Sequence, residues 1–372
     1  MKICVLGNAE SVHNQKWCEN IAGLGHEVWL ITLQKPVVIP GVRVVSLYSR
    51  WSRYLDIAFK IKKSEIKKIV EKIRPDILHG QFLSDYGYYA AALNYHPLVV
   101  SVWGSDLLIY PWLNSSCKKR IEQVVARADR ITVGAEYLKS MLISRFKVKK
   151  TDISIVTLGV KNGIFGSKKP RDILRTRNKY NVKKNERVIF SPRNMGQVYG
   201  ILQIIDAIPA VLKKYPETIF IFASGYADPK YLKMAEDRVK AAGIGKNVRI
   251  IRSIINVRDL ALLYSSSDIF ISASFSDAVS VSVMEGMLSD SVPLLSDIDA
   301  NKELVKNGRN GFLFKSGDSF DLEKKLLYLM GLPESKKKIF REKNRLFIER
   351  KYTMKSTMKA LNKVYYELTG KK

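Results

Sequence analysis

The feature that most constrains the fold of this 372-residue chain is a repeated alternation of short apolar runs and amphipathic segments. The apolar runs are bounded by Gly, Pro and Asp, which is typical of buried strands that end in turns. When amphipathic helices separate such strands, the strands form a parallel sheet that is covered by helices on both faces. In the first half of the sequence the predicted strands are residues 3–7, 27–32, 76–80, 97–104, 126–135 and 153–159.

The alternation is interrupted once and then restarts. Residues 166–186 are polar and basic, and they predict a linker that includes the entry helix of the second domain. The later predicted strands are residues 187–192, 218–225, 247–253, 268–274, 291–297 and 311–314. Because 372 residues exceed one comfortable core, we predict two domains, 1–165 and 187–349. A last helix over 350–372 is expected to pack back on the first domain.

The predicted fold class is therefore α/β, with two Rossmann-like, doubly wound domains that face each other across a cleft. In sheets of this kind, ligands bind beyond the carboxyl ends of the strands. The architecture gives the place of a site but does not by itself assign a function.

Cysteine usage and hydropathy indicate the cellular compartment of the protein. Cys4, Cys18 and Cys117 are scattered without CxxC spacing, which favours a reducing compartment over a disulfide framework or a zinc site. No run of 18 apolar residues is present, and the apolar run before Gly7 is too short for a signal peptide. We therefore expect a cytoplasmic protein.

The net charge of +28 indicates a polyanionic partner, such as nucleic acid, an anionic membrane or a phosphorylated substrate. Residues 50–74 contain nine Lys or Arg against three acids, with Trp51 and Tyr54 before an amphipathic stretch that carries Ile61 and Ile66. Basic residues beside interfacial aromatics suit the inner face of an anionic membrane. The alternative is a core-facing helix with a solvated basic face. Nucleic-acid binding is not expected, because no recognisable motif accompanies the charge.

The segment 274–297, SFSDAVSVSVMEGMLSDSVPLLSD, has the composition of an anion site. A strand that ends at Ser274, a small-residue loop and a helix start near Ser280 leave backbone N–H groups and a helix dipole that favour a diphosphate. Glu285 could then accept hydrogen bonds from two ribose hydroxyls. The alternative is that Asp277 and Ser280 only cap the helix and that Glu285 is solvated. The donor-binding candidates here are Asp277, Ser280, Val281, Ser282 and Glu285.

This segment resembles the donor-site signature of the retaining family-four glycosyltransferases, which have the GT-B fold. The signature is an acidic residue, seven residues and a Glu on a helix; here Asp277 stands where the family has Glu, and Glu285 follows. The resemblance implies transfer of a sugar from a UDP-, GDP- or ADP-linked donor to a hydroxyl acceptor, with no metal or other cofactor. It also implies that the departing diphosphate takes the acceptor proton, so that electrostatics at the phosphates carries most of the catalysis.

A second landmark is FSPRNMGQVYG, residues 190–200. Arg193 matches the family's Arg that binds the donor diphosphate, a task that suits a planar, permanently charged side chain. The family's Lys about five residues later is absent. Tyr199 falls near its place, so either the Tyr hydroxyl or another basic residue takes over. Arg252 and Ile254, after a strand, are candidates for the nucleobase pocket.

In the first half, residues 8–32 resemble the family's acceptor loop, with Gly7-Asn8 in place of Gly-Gly. Trp103 stands where many relatives carry a His, and Asp106 could orient a sugar hydroxyl or could cap a helix. The acceptor-side candidates are Gly7, Asn8, His13 and Trp103. The catalytic candidates are His13, Asp106 and Glu285.

The positions of the histidines limit the chemistry that the second half of the chain can perform. His13, His26, His79 and His96 all lie in the first half, so the second domain has no His base and no His-rich metal site. His79 follows a strand and could face the cleft or be structural. This distribution disfavours a sugar-nucleotide epimerase. A catalytically inactive sugar-nucleotide binder stays open, and so does a basic nucleic-acid-binding protein. The favoured function is a glycosyltransferase of cell-surface glycan synthesis with a sugar or lipid-linked acceptor.

Overall fold

The computed structural model describes residues 1–161, 163–225, 227–253 and 255–371. The chain forms two compact units. The first contains residues 1–157 together with the chain from residue 355 onward, and the second contains residues 158–354. These limits differ from the predicted domains, because the residues that were predicted as a linker belong to the second unit.

The sheet of the first unit has seven strands among the described residues, in the order β3-β2-β1-β4-β5-β6-β7, and every pairing is parallel. The strands are β1 Lys2–Leu6, β2 Glu27–Thr32, β3 Val42–Ser46, β4 Ile77–Gln81, β5 Leu98–Ser101, β6 Arg130–Val133 and β7 Ile153–Ile155. In the register, Leu6 of β1 lies beside Gly80 of β4, and Gln81 lies beside Ser101 of β5. The carboxyl ends of β1, β4 and β5 therefore lie side by side.

Helices cover this sheet in the way that the apolar spacing predicts. Helix α2 buries Phe59, Ile66, Val70 and Ile73 at helical intervals, and its opposite face is solvated. The side chain of Ser11 caps α1 by accepting from the Asn14 N–H. The helices are α1 Val12–Ala22, α2 Leu55–Ile73, α3 Tyr86–Ala91, α4 Ser105–Leu108, α5 Tyr110–Leu113, α6 Ser115–Val125 and α7 Glu136–Phe146.

The second unit has its own parallel sheet, which comprises six strands among the described residues, in the order β10-β9-β8-β11-β12-β13. Every residue of β9 is buried, which is typical of a strand with helices on both faces. The strands are β8 Arg187–Ser191, β9 Thr218–Ala223, β10 Val248–Ile251, β11 Ile269–Ser272, β12 Val292–Ser296 and β13 Phe312–Phe314.

The helices of the second unit begin inside the segment that was predicted as a linker. Helix α8 packs against α11, and the guanidinium of Arg177 donates to the Ser266 carbonyl at 3.2 Å. Backbone acceptors on the neighbouring helix thus hold a polar helix that buries few apolar side chains. The helices are α8 Pro170–Lys179, α9 Ile201–Lys214, α10 Pro229–Ala241, α11 Val257–Ser265, α12 Val281–Leu288, α13 Asp299–Leu304, α14 Ser319–Gly331 and α15 Glu334–Lys351.

The last helix, α16 Met354–Thr369, is separated from α15 by a short extended stretch. There the Val160 N–H donates to the Tyr352 carbonyl at 2.8 Å, and the Met354 N–H donates to the Val160 carbonyl at 3.0 Å. A Cβ on the adjacent Gly159 would lie 2.5 Å from the Thr353 oxygen, so only glycine permits this close approach. Helix α16 then buries its apolar face, including Leu361 and Tyr365.

Candidate functional site

The guanidinium of Arg193, just beyond the carboxyl end of β8, is the centre of a polar cluster in the second unit. Its Nη1 donates to the hydroxyls of Ser280 and Ser282 at 2.5 and 2.7 Å. Its Nη2 lies 2.9 Å from Oδ2 of Asp277. Its central carbon lies 4.5 Å from the ring centre of Tyr199. The structure therefore brings five of the predicted donor-side residues together in one cluster.

Two helices begin beside this cluster. Helix α9 starts after Gly200 and helix α12 after Ser280, and neither start has a side-chain cap. The Ser280 hydroxyl is engaged instead by Arg193 and by Ser282, the latter at 2.9 Å. Since uncapped first-turn N–H groups and the helix dipole both favour an anion, the cluster has the electrostatics of a diphosphate site.

Gly200 allows the start of α9 to approach the end of β11. Its φ of +61° lies in the left-handed region, and a Cβ there would be 2.2 Å from the Ala273 carbonyl oxygen. No side chain fits at that distance. The glycine therefore fixes where the first turn of α9 sits relative to the loop that carries Asp277.

The charge of Asp277 is balanced by its neighbours. Burial raises the pKa of the Asp277 carboxyl above its ordinary value, and the Arg193 charge and the Ser280 hydroxyl counteract that rise. Asp277 in turn neutralises part of the Arg193 charge at 2.9 Å. A bound anion would share the guanidinium with this carboxylate.

Glu285 and Val281 lie on α12, next to the cluster, and both are partly buried. The hydroxyl of Tyr264 donates to the Ser282 carbonyl in the first turn of this helix. Burial raises the pKa of Tyr264 well above its ordinary value, and the negative charge of Glu285 adds to the effect. The Glu285 carboxylate thus lies within electrostatic range of the same turn.

Of the two residues that were predicted for a nucleobase pocket, the structure describes Arg252. The Arg252 side chain is 70% exposed and forms an ion pair with Glu236. Ile254 lies outside the described residues. Sequence reasoning missed Phe275, an exposed aromatic in the loop between β11 and α12, whose N–H donates to the Val198 carbonyl at 2.9 Å. The sequence feature that could have indicated Phe275 is a lone aromatic residue in a serine-rich loop at a strand end.

The first unit gathers several acceptor-side candidates at the carboxyl end of its sheet. The His13 ring centre lies 5.7 Å from that of Trp103, and the Asn14 side chain donates to the Asn8 carbonyl at 3.0 Å. A Cβ on Gly7 would come within 3.1 Å of the Asn14 side chain. Desolvation lowers the pKa of His13, with the charge of Lys16 as the second cause.

A buried chain of hydrogen bonds leads from Trp103 into the unit. The indole N–H of Trp103 donates to Oε1 of Gln81 at 2.9 Å, and the Gln81 amide lies 3.3 Å from Nε2 of His79. Nδ1 of His79 lies 2.6 Å from the Tyr365 hydroxyl. Burial lowers the pKa of His79 to about 3, so its ring is neutral at neutral pH. His79 is therefore a buried linking residue, and sequence reasoning missed both Gln81 and Tyr365.

Asp106 was predicted as a catalytic candidate or a helix cap, and in the structure its side chain is engaged by backbone N–H groups. The side chain is fully buried, and its carboxylate accepts from the N–H groups of Leu83 at 2.7 Å, Gly104 at 2.7 Å and Trp103 at 3.1 Å. Burial raises the pKa of Asp106 to about 6, partly offset by these backbone donors. Its role is to hold the loop that carries Trp103.

Comparison with known proteins decides the family. The profile of "Glycosyl transferase 4-like" proteins matches residues 2–135, and that of "Glycosyl transferases group 1" matches residues 172–346. The chain belongs to the group 1, GT4-like glycosyltransferases. The family and the two-domain GT-B fold that the sequence predicted are both confirmed.

Individual relatives of this glycosyltransferase are distant. Trehalose synthase of Thermococcus litoralis is 22% identical over 216 residues, 57% of this chain and 51% of that one. The chain thus spans about half the length of the first curated relatives that it matches. Alpha-monoglucosyldiacylglycerol synthase of Acholeplasma laidlawii is 21% identical over 355 residues, 89% of this chain and 86% of that one.

Among solved structures, the Anabaena protein HepE in complex with UDP and glucose superposes on this glycosyltransferase with a TM-score of 0.80. The two are 15% identical, and the match covers 99% of this chain and 100% of that one. At this identity the likeness concerns the fold. What is shown of this chain is membership of a glycosyltransferase family. The Arg193 cluster, at the carboxyl edge of the second sheet and beside two uncapped helix starts, is its candidate donor site.

Proposed function

We propose that this protein is a retaining glycosyltransferase that moves a sugar from a UDP-, GDP- or ADP-linked donor to a hydroxyl acceptor. The observation that carries the proposal is the Arg193 guanidinium, bound by Asp277, Ser280 and Ser282 between two uncapped helix starts. Preorganised positive charge of this kind stabilises the negative charge that develops on a departing diphosphate. Glu285 binds the ribose hydroxyls.

In the proposed reaction, the bond between the anomeric carbon and the donor phosphate oxygen breaks, and the diphosphate leaves with the electron pair. The acceptor oxygen bonds to the same face of that carbon, and its proton passes to the diphosphate. No side-chain base is needed, which fits the commitment of Asp106 to backbone N–H groups. Arg193 and the amino-terminal ends of α9 and α12 supply the positive charge, so we propose a reaction without a metal ion.

A panel of UDP-, GDP- and ADP-sugars with simple hydroxyl acceptors tests the proposal. Replacing Glu285 by Gln is expected to lower kcat/KM by about 10- to 100-fold, because one charge-assisted hydrogen bond contributes about 1.5–3 kcal/mol. Glu342→Gln, an exposed change on α15, is the matched control and should leave the rate unaltered. Proton NMR of the product should show the donor's anomeric configuration, and EDTA should not change the rate.

Binding of a nucleotide sugar without any transfer would favour the catalytically inactive alternative. Failure of every nucleotide sugar to bind at millimolar concentration would rule out both. An inverted product would reject the retaining mechanism while leaving the transferase assignment intact.

We further propose that the acceptor is lipid-linked and that the protein binds the inner face of an anionic membrane through residues 50–74. In the first unit, Tyr54, Ile57 and Ile61 are exposed at helical spacing beside Arg53 and Lys60. Ile61, which was predicted on the apolar face of α2, is 55% exposed. Within the described part of the chain, no helix has the length and apolar character to cross a membrane. The glycolipid name of the Acholeplasma relative supports the same choice.

Co-sedimentation with phosphatidylglycerol vesicles tests the membrane proposal. Replacing both Ile57 and Ile61 by Ser should weaken binding at least about tenfold, because each buried Ile side chain contributes about 1.5–3 kcal/mol. Phe320→Ser, at an exposed aromatic of the second unit, is the matched control. Binding that is equal on neutral and anionic vesicles, or that the double change does not weaken, would contradict the proposal.

A further inference from the structure

A cavity lies in the second unit, at the opposite end of β8 from Arg193. It has a volume of about 430 Å³ and lies where β8 and β11 begin, between the end of α14 and the start of α15. That volume falls within the range of pockets that bind small molecules. Arg187, Tyr215, Asp268, Met330, Glu334 and Lys337 are among the residues that line it.

The Arg187 side chain has an unsatisfied donor at this cavity. Its Nη1 is buried and has no hydrogen-bond partner among the described residues. Its central carbon lies 4.3 Å from the Tyr215 ring centre, and its Nε is 3.8 Å from the Glu217 carboxylate, too far for a hydrogen bond. Leaving a buried donor unpaired is costly, and a small shift of this side chain, which lines the cavity and is 38% exposed, would let the guanidinium bind an acceptor there.

Lys337 supplies a second positive group. Its ammonium donates to the Met330 carbonyl at 3.1 Å, and the group has three N–H donors in all. Burial lowers the pKa of Lys337, and the negative charges of Glu334 and Asp268 oppose the shift. An anion bound beside this ammonium would favour its charged form.

The start of α15 contributes backbone donors to the same place. This 18-residue helix begins at Glu334 without a side-chain cap, so first-turn N–H groups and the helix dipole favour an anion. The Glu334 carboxylate is engaged by Arg341. The Asp268 carboxylate accepts from the Val188 N–H at 2.7 Å and provides an acceptor for a ligand hydroxyl.

We propose that this cavity is a second ligand site, which binds a small hydroxylated phosphate ester. Arg187, Lys337 and the first turn of α15 hold the phosphate, Asp268 accepts from a hydroxyl, and Tyr215 and Met330 form the apolar wall. The site uses residues at the amino ends of the strands, so it is separate from the Arg193 cluster and does not depend on the donor assignment.

Titration calorimetry with glucose 6-phosphate tests the site in the full-length protein that carries Arg193→Gln. We expect saturable binding there, and at least about tenfold weaker binding when Arg187→Gln or Lys337→Met is added, because each removes a charge-assisted hydrogen bond. Arg252→Gln, at an exposed Arg of the same unit, should not weaken it. Glucose without the phosphate should not bind.

Arg187 lies on β8 and Lys337 on α15, so the two variants change different elements. If one variant misfolds, which the loss of its cooperative thermal transition would reveal, the other still tests the proposal. The proposal is overturned if glucose 6-phosphate does not bind at millimolar concentration. It is equally overturned if a folded Arg187→Gln or Lys337→Met protein binds as tightly as its parent.

Discussion

Replacing Arg193 by Gln is expected to lower kcat/KM for sugar transfer by about 100- to 1000-fold, the usual effect of removing one preorganised donor from a developing negative charge. The Arg193 side chain is only 11% exposed, and its guanidinium makes three close polar contacts. In the variant, water molecules cannot take over the role of this buried positive charge at low energetic cost. Initial rates with the preferred donor measure the effect. Arg238→Gln, at a surface pair with Asp206, should change the rate less than about fivefold.

Arg193 also neutralises the charge of Asp277, so the loss of Arg193 affects stability as well as catalysis. Removing one partner of a mostly buried ion pair leaves the other charge unpaired and destabilises the fold. Adding Asp277→Asn to Arg193→Gln should therefore restore part of the thermal stability without restoring the rate. A double variant that regains activity along with stability would show that Arg193 acts only by neutralising the charge of Asp277.

Replacing Gly200 by Ala is expected to reduce the free energy of unfolding by about 2–5 kcal/mol. The left-handed φ of +61° costs an L-residue about 1–2 kcal/mol, and overpacking adds about 1–3 kcal/mol. The added Cβ would lie 2.2 Å from the Ala273 oxygen. To relieve this contact, the start of α9 must move from the end of β11, so donor-dependent activity should fall too. Urea unfolding and initial rates measure both effects.

Gly243 provides the matched control. Its φ of +66° is nearly the same, but a Cβ there would meet nothing within 4 Å. Gly243→Ala should therefore cost only the conformational term of about 1–2 kcal/mol and leave the rate unaltered. If both alanine variants lost the same stability and kept the same activity, the close approach of α9 to β11 would have no role in the site.

The alternation of apolar strands and helices predicted most of the fold, because buried parallel strands leave continuous apolar runs between turn residues. Residues 27–32 form β2 with the predicted limits. Strand β3 was missed, since VRVVS is a short run on the edge of the sheet that keeps a charged side chain. The short helices α4 and α5 were missed too, because each has only four residues.

Other differences depend on contacts between residues that are distant in the sequence. The last helix was predicted to start at residue 350, and the local sequence has no Gly or Pro near Met354, where α16 starts. The chain is extended at Thr353 because the backbone of Val160 pairs with it. Residues 166–186 are polar enough for a linker, but acceptors such as the Ser266 carbonyl hold α8 to the second unit.

The candidate site also contains residues that a local motif predicts and residues whose role depends on distant partners. Asp277, Ser280 and Ser282 lie in one contiguous segment, so a motif could predict them together. His79 lies in β4 and Asp106 in α4, and the sequence could not tell whether their side chains face solvent or the interior. Their burial follows from partners on other elements, such as Tyr365, which lies 286 positions from His79 in the chain. The cavity at Arg187 combines four separate elements and leaves no local signature.

A crystal structure of the protein soaked with UDP-glucose, and in turn with the GDP- and ADP-linked sugars, tests the central claim most directly. The account predicts diphosphate oxygens within hydrogen-bond distance of the Arg193 guanidinium and of the first-turn N–H groups of α12, with the ribose on Glu285. A nucleotide bound elsewhere on the chain, with Arg193 still held only by Asp277, Ser280 and Ser282, would contradict it.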